Sequence, residues 1–126
     1  EEAFKKAEDI TGDTSMESLL FSAATGIDIS EARLDRAGER IYNLERAILV
    51  REGRSRKMDE TVIPHFKLPD RYDGTRLDEE KFRCLLEEYY QLRGWDVETG
   101  IPTKRKLEEL GLGDVAKGLE RFQILS

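Results

Sequence analysis

The chain has 126 residues, enough for one domain and little more at about 100 to 200 residues per domain. Charged side chains make up 38% against an average of about 25%, and 27 acidic against 21 basic residues leave a net charge of -6, which argues against a nucleic-acid binder. One Cys and one His exclude an intrachain disulfide and a zinc site built from several such ligands.

No stretch approaches 18 consecutive apolar residues, and Glu1-Glu2-Ala3-Phe4-Lys5-Lys6 lacks an apolar signal region. A cytoplasmic protein without a membrane span is expected. A first residue of Glu in place of Met is read as a sign of processing or of a longer parent chain.

Thr14 and Glu17 fit a capping box, which predicts a helix over 14–25 closed by Gly26. Ser30 is the expected N-cap of a longer helix to about Glu52. Its apolar residues Leu34, Ala37, Ile41, Leu44 and Ile48 recur at spacings of three and four and are read as its core face. Gly53 supplies the stop, and Gly38 is taken to mark close approach by a neighbouring element. From Arg54 to Arg76 no period is sustained and Pro64 and Pro69 intervene, so a long loop is expected. Helix order resumes at the N-cap Asp78, with Leu77 and Phe82 as a hydrophobic staple. Phe82, Leu85, Leu86 and Tyr89 form one face before Gly94. Thr103 caps a short helix that closes at Leu110-Gly111-Leu112 in a Schellman pattern, and Val115, Leu119 and Phe122 predict a last amphipathic turn. Strict alternation is absent. The expected fold is all-α: a single irregular helical domain over 1–126, with about five helices and one long loop.

Chemistry is sparse. His65 lies between Pro64 and Phe66 without a nucleophile beside it, and its plainer role is packing against a surface. Cys84 falls on the charged side of its helix and is read as an incidental thiol. Arg51, Arg54, Arg56 and Lys57 cluster where the long helix ends. They either answer its macrodipole or contact an acidic neighbour, which makes them the candidate inter-domain contact.

Several blocks in fixed order go further. Ser22-Ala23-Ala24-Thr25-Gly26, Gly38-Glu39-Arg40-Ile41-Tyr42-Asn43-Leu44-Glu45-Arg46, Val50-Arg51-Glu52-Gly53 and Arg56-Lys57 come first. Glu88-Tyr89-Tyr90-Gln91-Leu92-Arg93-Gly94-Trp95-Asp96, Thr99-Gly100-Ile101-Pro102-Thr103 and Leu107-Glu108-Glu109-Leu110-Gly111-Leu112 follow. Together they resemble the distal part of the C-terminal domain of the tungsten-containing aldehyde ferredoxin oxidoreductase family. The resemblance implies an intact enzyme that oxidises aldehydes to carboxylic acids and passes electrons to ferredoxin, using tungsten or molybdenum on a bis-pterin and one 4Fe-4S cluster. Its cluster motif, Cys-x-x-Cys-x-x-x-Cys, has no counterpart here, and Glu108–Gly113 only mimics Asp-x-x-Gly-Leu-Cys, with Gly in place of Cys. The stretch Arg56-Lys57-Met58-Asp59-Glu60-Thr61-Val62-Ile63-Pro64 departs from the more usual Arg-Lys-Asp-Asp-x-Leu-Pro, which leaves the subfamily open. No catalytic, cofactor-binding or metal-binding residue is therefore assigned in this chain. The expected partners are the remaining domains of the enzyme, and exposed apolar patches or a homodimer are expected where those domains are missing. Two alternatives stand beside this: a stand-alone helical interaction module, and a family relative acting on a different carbonyl or an aromatic thioester.

Overall fold

Helix order begins later than the Thr14–Glu17 spacing predicts. In the computed structural model, which describes residues 13–125, the first helix, α1, is Met16–Thr25. Ser15 precedes it without a side-chain cap bond, because the Asp13 carboxylate takes the Ser15 N–H at 3.0 Å and its hydroxyl at 2.6 Å. That turn replaces the expected capping box. Gly26 closes α1 as predicted, its N–H donating to the Ser22 carbonyl at 2.8 Å. The signal-region reading of Glu1–Lys6 lies outside the described residues.

The second helix, α2, is Glu31–Arg51, and the Ser30 carbonyl accepts the N–H groups of Arg33 and Leu34. Two compact units divide the chain within this helix, the first ending at Glu39 and the second starting at Arg40. In the first unit, Leu34 and Ala37 are half-buried. The second unit departs from the predicted stripe. Its buried α2 residues are Asn43, Arg46, Ala47 and Val50, whereas Ile41, Leu44 and Ile48 are 67%, 36% and 42% exposed. The inward face is the one bearing two polar side chains, both of which find internal hydrogen-bond partners that offset their burial. Among the described residues a Cβ built on Gly38 meets nothing within 4 Å, so none of them makes the expected close approach there.

Much of the predicted loop is helical. Arg56–Asp59 forms α3, continued by a 3₁₀ helix at Glu60–Lys67 with Pro64 inside it, and an i,i+4 Arg56–Glu60 ion pair at 2.9 Å ties the two. Helix α4 is Glu79–Arg93; the Asp78 carboxylate caps it by accepting from the N–H groups of Glu80 and Lys81. Leu77 stays 69% exposed while the Phe82 ring meets Phe66 edge-on, with centroids 5.0 Å apart. Tyr90 is buried and Leu86 and Tyr89 are half-buried, but Leu85 faces outward, 63% exposed, at the edge of the predicted face. Thr103 caps α5, Lys104–Glu109, as expected, and α6 is Gly113–Arg121. Phe122 is 62% exposed because α6 has ended and the backbone leaves the helical path at Gln123, φ 58°. The described residues thus hold six α-helices, one 3₁₀ helix and a single isolated bridge, Trp95–Pro102, which agrees with the all-α expectation.

Four helices of the second unit end alike, and the endings set the packing. After α2, Gly53 and Arg54 donate to the carbonyls of Val50 and Leu49; after α4, Gly94 and Trp95 donate to Gln91 and Tyr90. Gly111 and Leu112 donate to Glu108 and Leu107, and Gln123 and Ile124 to Glu120 and Leu119. These are Schellman pairs, which satisfy the last carbonyls and fold the following residue back onto its helix. Arg54 and Trp95 are thereby delivered to the site described below. Leu112 and Ile124 reach the core of Ala47, Leu107, Leu110, Ala116 and Leu119, where each fully buried Leu contributes about 1.5–3 kcal/mol.

Two glycine substitutions should act in opposite directions in urea unfolding. Gly111→Ala places a side chain at φ 70° and should cost about 1–2 kcal/mol, whereas Gly38→Ala lies mid-helix with no described atom near the added Cβ and should stabilise by about 0.5–1 kcal/mol. Equal effects of one sign would contradict these assignments.

Candidate functional site

Asp59, the last residue of α3, gathers three donors on one carboxylate. Arg46 donates from both terminal nitrogens, to Oδ1 at 3.2 Å and Oδ2 at 2.5 Å; Arg54 Nε donates to Oδ1 at 2.8 Å and the Tyr90 hydroxyl to Oδ2 at 2.5 Å. The side chains of Arg46 and Asp59 are only 6% and 9% exposed. A bidentate pair of this kind joins charge to planar geometry, which a lysine could not reproduce. The third nitrogen of Arg46, Nε, donates to the Gly100 carbonyl at 2.9 Å, and its guanidinium carbon lies 4.6 Å from the Trp95 ring centroid and 5.7 Å from that of Tyr90. Trp95 in turn donates its indole N–H to Asn43 Oδ1 at 2.8 Å. Two of the four buried side chains of α2, Asn43 and Arg46, and the rings of Tyr90 and Trp95 therefore form one connected network with Asp59 or pack beside it.

Burial alone would push the Asp59 carboxyl up, but the donors Arg46, Tyr90 and Arg54 outweigh it and hold the group below the usual carboxylate range. Tyr90 moves the other way, raised by burial and by the anion it donates to.

Gly100 is required where it stands. Its loop is tied by the Asp96 N–H to the Ile101 carbonyl and by the Gly100 N–H to the Asp96 carbonyl, while the Asp96 carboxylate accepts from the Thr99 N–H and hydroxyl. At φ 71° the Gly100 backbone approaches the network so closely that a Cβ would lie 2.5 Å from Arg46 Nη2 and 2.9 Å from Tyr90 Oη.

Above the network lies a cleft of about 410 Å³ between α2 and α4, walled by Tyr42, Leu49, Leu86 and Tyr89 and floored by Trp95. Tyr42 stacks on Trp95 at 6.0 Å with planes 8° apart, Tyr89 meets Trp95 edge-on at 5.6 Å, and the Tyr89 hydroxyl donates to that of Tyr42 at 2.5 Å. Arg46 and Asp59 at its base already neutralise one another. The arrangement orients backbone and rings, and it presents no nucleophile beside a base.

The four cations singled out in the sequence separate. Arg54 joins Asp59, and Arg56 pairs with Glu60 at 2.9 Å and Glu87 at 2.8 Å and donates to the Val97 carbonyl. Arg51 and Lys57 remain exposed. His65 is exposed on the 3₁₀ helix and Cys84 is an exposed free thiol on α4; neither lines the cleft. Among the described residues no group of three or more His, Cys, Asp and Glu could hold a metal ion, so the donors present do not fit a metal centre. Arg46, Asp59, Tyr90 and Gly100 were not singled out from the sequence as a site. Their signal was present in Asn43 and Arg46, polar residues spaced as a helix face.

Comparison with known proteins adds the following. A sequence model of the family described as "Aldehyde ferredoxin oxidoreductase, domains 2 & 3" matches residues 4–112. The chain is 36% identical over 101 residues to the tungsten-containing aldehyde ferredoxin oxidoreductase of Pyrococcus furiosus, covering 75% of this chain and 16% of that protein. It is 32% identical over 110 residues to the aliphatic sulfonate oxidoreductase, WOR-like subunit, of the same organism, covering 81% of this chain and 18% of that one. Among solved structures, a chain of the active site complex BamBC of benzoyl coenzyme A reductase, in complex with 1,5-dienoyl-CoA, is similar. Its TM-score is 0.72 at 33% identity, over 90% of this chain and 16% of that chain. The chain thus spans less than a fifth of the length of these relatives.

Gly100→Ala should destabilise by at least about 1–3 kcal/mol more than Gly111→Ala, since it adds overpacking against two buried groups to the same backbone strain. The Asp59 carboxyl, lowered in the folded state, contributes stability that is full above its unfolded value near pH 4 and is lost as pH falls through its native value. Acid unfolding followed by near-UV circular dichroism should therefore set in below about pH 4, and Asp59→Asn should lower stability at pH 7 while flattening the acid limb by about one proton. An unchanged acid limb in Asp59→Asn would count against the network.

Proposed function

This chain belongs to the aldehyde ferredoxin oxidoreductase family, and from that membership we propose that it serves as a helical C-terminal part of a larger oxidoreductase. In that enzyme aldehydes are oxidised to carboxylic acids in the cytoplasm and electrons pass to ferredoxin. Tungsten or molybdenum on a bis-pterin, with one 4Fe-4S cluster, would supply the redox chemistry from residues outside this chain. The part played by this chain is structural: to present helical surface that helps enclose the cofactor and substrate cavity.

The observation that carries this proposal is the family match over residues 4–112 by a chain that spans only 16% of the tungsten-containing relative. No described helix is long and apolar enough to cross a membrane. A second reading, an enzyme that acts on an aromatic thioester, draws on the similarity to the benzoyl coenzyme A reductase chain over 90% of this one. The interaction-module alternative draws on Arg51 and Lys57, which remain exposed at the end of α2.

The purified product of the whole gene decides between these. It should contain tungsten or molybdenum and reduce ferredoxin in the presence of an aldehyde, whereas reduction of benzoyl-CoA without aldehyde turnover would establish the second reading. The 126-residue chain alone should carry no stoichiometric tungsten, molybdenum or iron on metal analysis, and a cluster reconstituted on it would sink the structural assignment.

A further inference from the structure

Helix α4 carries an outer stripe that its own chain does not use. At about 100° per residue, Lys81, Cys84, Leu85, Glu88 and Leu92 fall within an arc of about 100° centred opposite the buried Tyr90. All five are exposed, Leu85 by 63% and Leu92 by 78%, and Leu77, just ahead of the N-cap, is 69% exposed. Charges elsewhere on the helix are paired within the chain: Arg83 with Glu79 at 2.8 Å and Glu87 with Arg56 at 2.8 Å. Lys81 and Glu88, by contrast, have no ion-pair partner among the described residues. Between Glu80, Lys81, Cys84 and Leu85 lies an open hollow of about 410 Å³.

The order of these residues selects the occupant. Laid against a reversed copy of itself, the stripe sets Leu77 against Leu92, Lys81 against Glu88 and Cys84 against Leu85. A two-fold interface requires this reciprocity, in which each residue meets a complement that meets it in return, and an unrelated partner does not. We propose that the outer face of α4 is a homodimer interface, in which α4 packs antiparallel on α4 of a second copy about a two-fold axis between Cys84 and Leu85. In that register two Lys81–Glu88 ion pairs form across the axis, whereas a parallel pair would set Lys81 on Lys81 and Glu88 on Glu88 and be repulsive. Leu85 of one copy enters the hollow between Glu80, Lys81, Cys84 and Leu85 of the other, the knob-into-hole contact of paired helices. One 15-residue helix on another makes a patch at the small end of specific interfaces, below about 1,200 Å², so the association is weak and its specificity lies in the charge pairs. The inference uses α4 alone and does not depend on the oxidoreductase reading.

Cys84 stands beside the axis and reports the pairing. The whole product of the gene is treated with a short bismaleimide, and the Cys84–Cys84 linked peptide is quantified by mass spectrometry; each copy holds one Cys84, so this peptide arises only between copies. The linked peptide is expected in the unsubstituted protein. It should fall at least about fivefold in Lys81→Glu, which sets like charges across both pairs, and return to within about twofold in Lys81→Glu/Glu88→Lys, which exchanges them. Both positions are exposed, so far-UV circular dichroism should be unchanged by either substitution. Absence of the linked peptide in the unsubstituted protein overturns the proposal. So does a yield indifferent to Lys81→Glu, which marks random collision, and so does a loss that the exchange fails to restore, which marks a partner other than a reversed copy of α4.

Discussion

A buried ion pair between Arg46 and Asp59 organises the second unit. Burying two charges is costly unless the geometry is good and the remaining donors and acceptors are satisfied. Here Arg46 uses its terminal nitrogens on the carboxylate and its Nε on the Gly100 carbonyl, while Asp59 also accepts from Arg54 and Tyr90. Each partner comes from a different element: the middle of α2, the turn after it, the end of α3, the end of α4 and the loop before α5. The pair thus ties five elements to one point. Gly100 is glycine because this crossing leaves no room for a side chain, and Trp95 reaches its place over Arg46 because the Schellman ending of α4 folds it back.

The same pair explains why the predicted stripe of α2 is not its buried face. Once Asn43 and Arg46 are held inside, the apolar residues at the other phase of α2 have no interior left in this chain. The aliphatic core lies elsewhere, around Leu107, Leu110 and Leu119, with Ala47 as the only α2 residue in it.

Much of the fold was legible in the residues because its local signals are short-range. Asp78 and Thr103 cap where their side chains can reach the first free N–H groups, and Gly26, Gly53, Gly94 and Gly111 stop helices because the left-handed turn suits them. What failed depended on tertiary partners. The 3.5-residue stripe of α2 identified an apolar face correctly but could not say that a buried arginine would claim the inside. The segment after Gly53 looked irregular because Arg56, Glu60 and Asp59 are polar; their helix is held by ion pairs to residues up to 31 positions away, which no local period records. The site was visible only indirectly. Asn43, Arg46, Tyr90, Trp95 and Gly100 all fall within the blocks that resemble the family, while Asp59 lies just past Arg56-Lys57 in a stretch that departs from the family pattern. Its residues hold the backbone of α2, α3, α4 and the Gly100 loop together through contacts that no local period records.

A double-mutant cycle on unfolding of the chain tests the central claim most directly. Arg46→Met and Asp59→Leu are each expected to cost about 3–5 kcal/mol, because each strands the other charge in the interior. The double variant should cost less than the sum by about 2 kcal/mol or more, since it strands neither. Single costs that add to within about 0.5 kcal/mol would contradict the account, and the ion pair would then be a passenger in a fold held by its aliphatic core.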